Sequence, residues 1–515
     1  MFESQESTPW YRSFTGLIAA SVILPPVGLL LLWLRRTTPT RVKILGTLVI
    51  LVLGAGYFYL LTAWRRSGAN EGHYLALEQH RAQQHAQGAS ATNLTTLESS
   101  PSPGVATPAA NSTDPQQSTT ITEASTAHAT RNYWTNFRGP NRDGRYEEMQ
   151  VTTRWSAQGL PVLWKQPIGL GYASFVIADG RAFTMEQRRQ QEVVAAYDVA
   201  TGREIWTQGW NAEYTDSTGD GPRSTPTWDD GRLYALGATG ELRCLDSRSG
   251  DVIWGKNILR DTQAQNLPWA MAASPLIVDD KVIVIPGGAA NNSVVAYNKA
   301  SGAPVWKSQN DRAAYVSPMS VNLAGRRQIL IVSASRMFGL APENGALLWS
   351  HPWETDMGIN VSQPVIVDKN RFFISSGYGK GAALIEIAAN GNNLSARTVW
   401  ENINMKNKFN SSVIHEGFVY GLDEGILTCV DVNTGERKWK GGRYGYGQVL
   451  LASGHLIITA DTGELALVRA TPEKYSEIAR FAALEGRTWN YPAIAGGRLL
   501  VRNANEMAAF NIAQP

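Results

Sequence analysis

The chain has 515 residues, of which 43% are hydrophobic, and its 47 Lys and Arg against 44 Asp and Glu give a net charge of +3. Residues 1–66 hold seven of the basic residues and only two acidic ones, so the rest of the chain is slightly acidic. Nucleic-acid binding requires a basic surface. The composition therefore argues against a nucleic-acid partner for residues 67–515.

Two apolar segments near the start are each long enough to cross a bilayer as a helix. They span Phe14–Leu34 and Ile44–Trp64, with 21 uncharged residues each, and a membrane span needs about 20. Four basic residues lie between them, at positions 35–43, and basic loops stay in the cytoplasm. We therefore predict a two-helix transmembrane hairpin over residues 1–66, anchored in the inner membrane, with the rest of the chain on the periplasmic side.

Residues 67–130 are rich in Ser, Thr, Ala, Gln and Pro and contain few large apolar side chains. Such a segment buries too little apolar surface to order itself. We predict a flexible, disordered linker, with a short helix around Tyr74–Gln87.

A turn-plus-tryptophan signature then recurs along the chain. An apolar run ends in Asp, a Thr-Gly turn follows, and a second short run carries a Trp, as in residues 193–206. Asp and Gly are typical of tight turns, because Asp hydrogen-bonds nearby backbone and Gly adopts a positive φ. Two more apolar runs precede each copy, so one unit holds four antiparallel strands, as a β-propeller blade does. The aligned residues, Trp164, Trp206, Trp254, Trp306, Trp349, Trp400 and Trp439, are 39–52 residues apart.

The number of blades follows from a separate count of innermost strands. Eight such strands begin between residues 174 and 491. The last unit lacks its Trp strand, whereas residues 161–165 form a strand that belongs to no unit. Pairing the two closes the ring and removes free sheet edges. We predict an all-β, eight-bladed β-propeller over residues 131–515, in which the repeated Trp rings bury apolar area between blades.

Several further motifs carry a resemblance to a known family. They are Asn-Phe-Arg-Gly-Pro-Asn-Arg-Asp-Gly at 136–144, Leu-Trp-Lys at 163–165, Gly-Tyr-Ala-Ser at 171–174 and Gly-Pro-Arg-Ser-Thr-Pro at 221–226. From about Tyr133 onward, the chain resembles the PQQ-binding-like (pyrroloquinoline quinone repeat) β-propeller proteins. These share their fold with quinoprotein alcohol dehydrogenases and with the scaffold lipoprotein of the outer-membrane assembly machine, which binds no quinone and catalyses nothing.

The dehydrogenase resemblance implies a definite site, in which PQQ lies between a Trp and a disulfide of adjacent cysteines, beside Ca²⁺ and an Asp base. The chain has only Cys244 and Cys429, at the same phase of the second and sixth blades. We interpret them as buried free thiols, too far apart for a disulfide. PQQ with Ca²⁺ stays possible, but the adjacent-cysteine platform of that site is absent, and no two of the propeller histidines, His351, His415 and His455, have the spacing of a zinc site.

Any ligand site is expected where the loops that enter the innermost strands converge at the mouth of the channel. Polar and aromatic residues cluster there, and Arg223 offers a planar fork for an anion. The alternative interpretation is that these residues cap strand ends and hydrogen-bond adjacent blades. The candidate ligand contacts are Tyr172, Arg223, Trp269, Tyr315, Asn360, Asn410, Tyr446, Trp489 and Asn490.

Three functions remain open from the sequence. The first is a non-catalytic, membrane-anchored binding or scaffold module for an envelope protein or polymer. The second is a membrane-bound PQQ-dependent dehydrogenase with a divergent site, and the third is a carbohydrate-binding propeller. Catalytic residues stay unassigned, because one fold hosts many functions.

Overall fold

The computed structural model describes residues 18, 21, 25–35, 38–97, 133–156 and 158–514. Helix α1 spans Pro25–Leu34 and helix α2 spans Thr40–Leu97. The chain forms two compact units, residues 1–76 and residues 77–515. The calls on residues 1–17 and 98–130 of the chain lie outside the described residues.

In the first unit, α1 packs against the beginning of α2. Leu32 and Ile50 bury each other, and the indole nitrogen of Trp33 donates to Thr47 Oγ1 at 3.0 Å. The segment Thr40–Tyr59, with a mean hydropathy of 1.8, is long and apolar enough to cross a membrane. The predicted first span, Phe14–Leu34, is described only at residues 18, 21 and 25–34, all of which are helical.

Helix α2 continues to Leu97, so residues 67–97 of the predicted linker are helical. Residues 75–87 are dominated by Leu, Ala, Glu, Gln and Arg, which are among the strongest helix formers. The short helix expected at Tyr74–Gln87 is therefore part of a longer one.

Residues beyond 133 form the strands of a propeller. Strand β1 is Arg145–Tyr146, β2 is Val162–Pro167, and the first two blades comprise β3 Val176–Ala178, β4 Arg181–Arg188, β5 Gln191–Asp198, β6 Glu204–Asn211, β7 Thr227–Asp229, β8 Arg232–Leu236, β9 Glu241–Asp246 and β10 Val252–Asn257. A one-turn helix, α3 Ile258–Thr262, follows. Blades 3 to 5 comprise β11 Leu276–Val278, β12 Lys281–Val284, β13 Val294–Asn298, β14 Pro304–Ser308, β15 Met319–Leu323, β16 Arg326–Val332, β17 Arg336–Leu340, β18 Leu347–Pro352, β19 Val365–Ile366, β20 Arg371–Ser376, β21 Gly381–Asn390 and β22 Asn393–Asn402.

The remaining blades complete the ring. Blade 6 comprises β23 Val413–His415, β24 Phe418–Asp423, β25 Ile426–Asp431 and β26 Arg437–Arg443, blade 7 comprises β27 Gln448–Ala452, β28 His455–Thr459, β29 Glu464–Arg469 and β30 Glu477–Ala482, and blade 8 comprises β31 Ala493–Ala495, β32 Arg498–Arg502, β33 Glu506–Asn511 and β2. Strand β2 pairs antiparallel with β33, from Val162 opposite Phe510 to Pro167 opposite Glu506. The predicted eight blades and their closure by the Trp164 strand are confirmed.

The repeated Trp and Gly residues contact each other across adjacent blades. Each of the seven aligned Trp residues lies on the outermost strand of its blade. The Trp164 indole donates to the Val199 carbonyl of blade 1 at 3.0 Å. A Cβ on Gly202, whose φ is +72°, would lie 2.7 Å from that ring. Trp206 and Gly250 repeat the arrangement at the next blade boundary. The turn-plus-tryptophan signature therefore supplies the contacts between adjacent blades.

A buried ionic cluster joins blades 8 and 1. Glu186 is fully buried and accepts hydrogen bonds from the Gly169 amide, at 2.6 Å, and from the Tyr197 hydroxyl. Arg188 pairs with it at 3.1 Å, and Arg502 of blade 8 lies nearby, donating to the Gly169 carbonyl at 2.8 Å. Burial alone would raise the pKa of Glu186, but the two guanidinium groups lower that pKa to about 2.

We expect Glu186→Gln to lower the free energy of unfolding at pH 7 by up to roughly 3 kcal/mol, because one pKa unit corresponds to about 1.4 kcal/mol. The folded-state pKa lies below the unfolded value, so this contribution is present above about pH 4.5 and is lost as pH falls towards 2. Urea unfolding of both proteins at several pH values measures the difference. Glu147→Gln, at an exposed ion pair with Arg145, is the control, and a pH-independent difference would contradict the assignment.

Candidate functional site

Residues 134–146, called the channel plug below, run through the centre of the ring. Trp134 bridges to Ile177 of blade 1, and β1 at the other end pairs in parallel with β27 of blade 7. The plug contains the Asn-Phe-Arg-Gly-Pro-Asn-Arg-Asp-Gly motif. Left-handed backbone at Arg138 and Arg142, with φ of 64° and 58°, folds it into a compact loop.

Two arginines extend from the plug in different directions. Arg142 donates to the carbonyls of Ser274, Pro275 and Pro318 and to Thr227 Oγ1, which belong to blades 2, 3 and 4. Burial lowers its pKa to about 9, so it remains a cation at neutral pH.

Arg138 faces the other side of the ring. Its guanidinium donates to the Ser412 carbonyl of blade 6 at 2.8 Å and lies 4.9 Å from the centre of the Tyr491 ring of blade 8. Arg138 and Arg142 are both almost fully buried. They bond backbone carbonyls between blades, which indicates that they hold the plug in the ring.

The plug separates two cavities that open towards opposite ends of the innermost strands. One, of about 730 Å³, is lined by residues within and after these strands, such as Trp228, Asn322 and Asp368. The other, of about 390 Å³, is lined mostly by residues that precede the innermost strands and is called the mouth cavity below. Its volume lies within the range of about 300–1,000 Å³ that small-molecule sites occupy.

Aromatic residues are eight of the 17 that line the mouth cavity. Tyr172 stacks on Trp489, with ring centres 5.5 Å apart and an interplanar angle of 24°. Phe409 lies 5.0 Å from Trp489, and Met357, which is 59% exposed, lies at the rim. The eight aromatic lining residues are Phe137, Tyr172, Trp269, Tyr315, Tyr378, Phe409, Trp489 and Tyr491.

Five of the nine candidate contacts line this cavity: Tyr172, Arg223, Trp269, Tyr315 and Trp489. Tyr446 lies behind the wall, with its ring 4.9 Å from that of Phe409. The three asparagines are buried in the blades instead. Asn490 donates to the Ala173 carbonyl at 2.9 Å, Asn360 donates to the Ser333 carbonyl at 2.9 Å, and Asn410 accepts from Asn407 at 2.8 Å.

Arg223 is the charged residue of the lining, but its own loop engages it. The guanidinium donates to the carbonyls of Gly219 and Gly221 and lies 3.8 Å from Asp216. It also lies against the Tyr214 ring, 4.5 Å from its centre. The planar fork that we expected to bind an anion is thus bonded to protein oxygens.

Other polar groups of the lining are engaged in the same way. Gln448 donates to the carbonyls of Phe409 and Trp489, at 3.0 and 2.8 Å. The Tyr172 hydroxyl donates to the Thr218 carbonyl, and the Tyr491 hydroxyl donates to the Val449 carbonyl at 2.6 Å. Ser274 and Ser411 hydroxyls accept from backbone amides. These polar groups are thus bonded within the protein, whereas the buried indole nitrogen of Trp489 has no hydrogen-bond partner.

Three buried phenols of the cavity are neutral. Burial raises the pKa values of Tyr315, Tyr378 and Tyr491 to about 12. No carboxylate, thiol or imidazole occurs among the described residues of the lining. The cavity as described offers neither a carboxyl base nor the anionic oxygens that Ca²⁺ prefers.

The features of a PQQ–Ca²⁺ site are likewise missing from the described residues. Cys244 and Cys429 are free thiols buried in β9 and β25, in different blades. No group of three His, Cys, Asp or Glu side chains comes together in the described part of the chain. The residues of the mouth cavity do not fit a PQQ–Ca²⁺ pair held in the way that the resemblance implies.

Sequence reasoning missed several residues of the wall. Phe409 and Tyr491 each neighbour a predicted asparagine, and strand-like alternation turns one residue to the channel and the next into the blades. Tyr378 and Met357 come from the β20–β21 and β18–β19 loops. Tyr378 follows the second strand of blade 5, so a search of positions before innermost strands could not find it, whereas Met357 precedes β19 and was missed because only polar and aromatic residues were selected.

Comparisons with known proteins agree with the fold. The family model described as "Outer membrane protein assembly factor BamB", a PQQ-repeat model, matches residues 190–441. The quinoprotein ethanol dehydrogenase of Pseudomonas aeruginosa is 26% identical over 167 residues, which are 30% of this chain and 26% of that protein. The 1-butanol dehydrogenase (cytochrome c) of Thauera butanivorans is 24% identical over 174 residues, 32% of this chain and 24% of that protein.

The chain thus spans about a quarter of the length of the curated relatives it matches. Among solved structures, the quinohemoprotein alcohol dehydrogenase of Comamonas testosteroni aligns with a TM-score of 0.51 at 14% identity, covering 76% of this chain and 82% of that one. At this identity the alignment supports the fold alone. The resemblance to PQQ-repeat propeller proteins is confirmed.

Proposed function

Starting from a propeller that carries PQQ-type repeats, we propose that this chain is a non-catalytic binding or scaffold module, anchored in the inner membrane with its ring on the periplasmic side. Its partner is an envelope protein. The mouth cavity receives an uncharged apolar group of that partner, an aromatic or large aliphatic side chain.

The observation that carries this proposal is that most of the cavity's polar groups are already bonded within the protein. Because the hydroxyl, amide and guanidinium groups described above bond to protein atoms, an anionic or polyhydroxylated ligand would find few partners there. An apolar side chain needs none, and burying one is worth about 1.5–3 kcal/mol. Such buried anchors dominate protein–protein recognition.

The anchor is proposed from the beginning of the chain. The apolar segment Thr40–Tyr59 would span the membrane as the second helix of a hairpin, and α1, packed against it through Leu32, would be the end of the first helix. The basic residues between the two helices favour a cytoplasmic loop, and this orientation would put the propeller on the periplasmic side.

A peptide library displayed on phage, panned against the full chain in nanodiscs, tests the binding mode. We expect recovered peptides to share one aromatic or large aliphatic residue and to lose binding when Trp489 is replaced by Ala. Recovery of peptides without such a residue, or equal recovery on Trp489→Ala, would contradict the proposal.

A second candidate is a PQQ-dependent dehydrogenase with a divergent site, which the similarity to the ethanol dehydrogenase favours. It is tested by adding PQQ and Ca²⁺ to the purified chain and measuring bound quinone absorbance. Uptake at micromolar cofactor would support the dehydrogenase over the scaffold. Carbohydrate stacking on the aromatic wall is the third candidate, tested on a glycan array with Trp269→Ala and Trp489→Ala.

A further inference from the structure

A short part of α2, Leu77–Ala86, belongs to the propeller unit and lies at the seam where blade 8 meets blade 1. The closing strand β2 provides one side of this seam, and strands β4 to β6 of blade 1 provide the other. Because β2 is the strand that completes the ring, contacts here act on ring closure.

Side chains along one face of this helical segment are buried. Leu77 is 1% exposed and Arg81 is 6% exposed, whereas Ala82 and Gln83, on the other face, are exposed. His80 and Gln84 are half-buried. Residues 77, 80, 81 and 84 are spaced three and four apart, so they lie on one face of the helix. This face is the one that packs against the propeller.

Arg81 is the principal contact to blade 1. Its guanidinium lies 3.3 Å from the Glu204 carboxylate and donates to the Tyr197 hydroxyl at 3.3 Å, while its carbon Cζ lies 4.9 Å from the centre of the Tyr197 ring. It also donates to the Pro167 carbonyl of β2 at 3.1 Å. One side chain therefore joins the two blades.

Gln166 of β2 is the second contact. Its side-chain oxygen accepts from Gln84 at 2.7 Å and lies 3.0 Å from the His80 ring nitrogen. Its amide group donates to the Gly202 carbonyl of blade 1. At the edge of the seam, Glu78 pairs with Arg189 at 2.8 Å. Every polar side chain that the segment turns towards the ring has a partner there.

We propose that Leu77–Ala86 is an intramolecular clamp that locks β2 in place and closes the propeller ring. Without it, β2 is held in blade 8 by its single neighbour β33 and by contacts with blade 1. The clamp makes this stretch of the predicted linker part of the folded ring. It leaves the proposed binding function of the mouth cavity unaffected.

Hydrogen exchange of the full chain in nanodiscs tests the clamp. In the unmodified protein we expect amides of residues 78–86 and of β2 to be protected. Arg81→Ala should speed their exchange at least tenfold, and Gln83→Ala, two residues away on the exposed face, should leave it unchanged. Fast exchange of residues 78–86 in the unmodified protein would overturn the proposal.

A cross-link provides a test that does not depend on the folding of Arg81→Ala. Gln84 and Gln166 touch through their side chains, so Gln84→Cys with Gln166→Cys should react with a short bis-maleimide within one molecule. Gln83→Cys with Gln166→Cys should not. Mass spectrometry identifies the product, and an absent or intermolecular link would overturn an intramolecular clamp.

Discussion

Replacing Arg142 with Ala is expected to destabilise the propeller by about 3–5 kcal/mol, which is the usual range for removing a buried charged partner. The side chain bonds Thr227, Ser274, Pro275 and Pro318. Its loss leaves the buried Ser274 and Pro318 carbonyls without this donor, at a cost of about 1–3 kcal/mol each, whereas the Pro275 carbonyl still accepts from the Thr227 hydroxyl. Urea unfolding followed by Trp fluorescence measures the change.

Arg145→Ala is the matched control, because Arg145 lies three residues further along and pairs with the exposed Glu147. Exposed pairs contribute about 0–1 kcal/mol, so its unfolding midpoint should stay close to that of the unmodified protein. Equal stability of Arg142→Ala and Arg145→Ala would show that the plug does not hold the ring together.

The blade count could be predicted from sequence because its signals are local and repeat. A turn Gly with positive φ, such as Gly202, and an outer-strand Trp, such as Trp164, follow from short motifs. The same pair then meets across each of several blade boundaries. Closure of the ring could also be predicted, because the last unit lacks its Trp strand and residues 161–165 form a strand that belongs to no unit.

The channel plug could not be predicted in this way. The Ser274 and Pro318 carbonyls that Arg142 bonds lie 132 and 176 residues away in sequence, and carbonyl acceptors leave no signal in side-chain pattern. The clamp was missed for another reason. Its composition is that of a solvated helix, and Arg81 is buried only because the seam supplies Glu204 and Tyr197.

Five of the nine candidate contacts line the mouth cavity, but the sequence could not resolve which of two neighbouring residues faces it. Positions before innermost strands gave Tyr172 and Trp489, which line the cavity, and also Asn490, which hydrogen-bonds within the blades. Adjacent residues on an extended segment face opposite ways, and only the structure shows which one faces the channel. Arg223 was among the candidate contacts, but the sequence did not show that its guanidinium donates to the Gly219 and Gly221 carbonyls.

Trp489→Ala is expected to weaken binding of a recovered apolar peptide at least 30-fold, about 2 kcal/mol, as loss of an aromatic hot spot does. The Trp489 ring contacts both Tyr172 and Phe409, so its removal opens the wall at the centre of the cavity. Trp489→Phe keeps a ring and should retain most of the affinity. Isothermal titration of the full chain in nanodiscs measures the dissociation constants.

Trp228→Ala is the control for the opposite end of the channel. Trp228 lines the larger cavity on the other side of the plug, so its loss should leave the affinity for the peptide unchanged. Equal weakening by Trp228→Ala and Trp489→Ala would indicate that both act through the fold of the ring. Weakening by Trp228→Ala alone would place the peptide in the larger, polar cavity. The two cavities differ in their lining. A partner that binds in the mouth cavity should therefore depend on an apolar group, whereas a partner that binds in the opposite cavity should depend on polar groups.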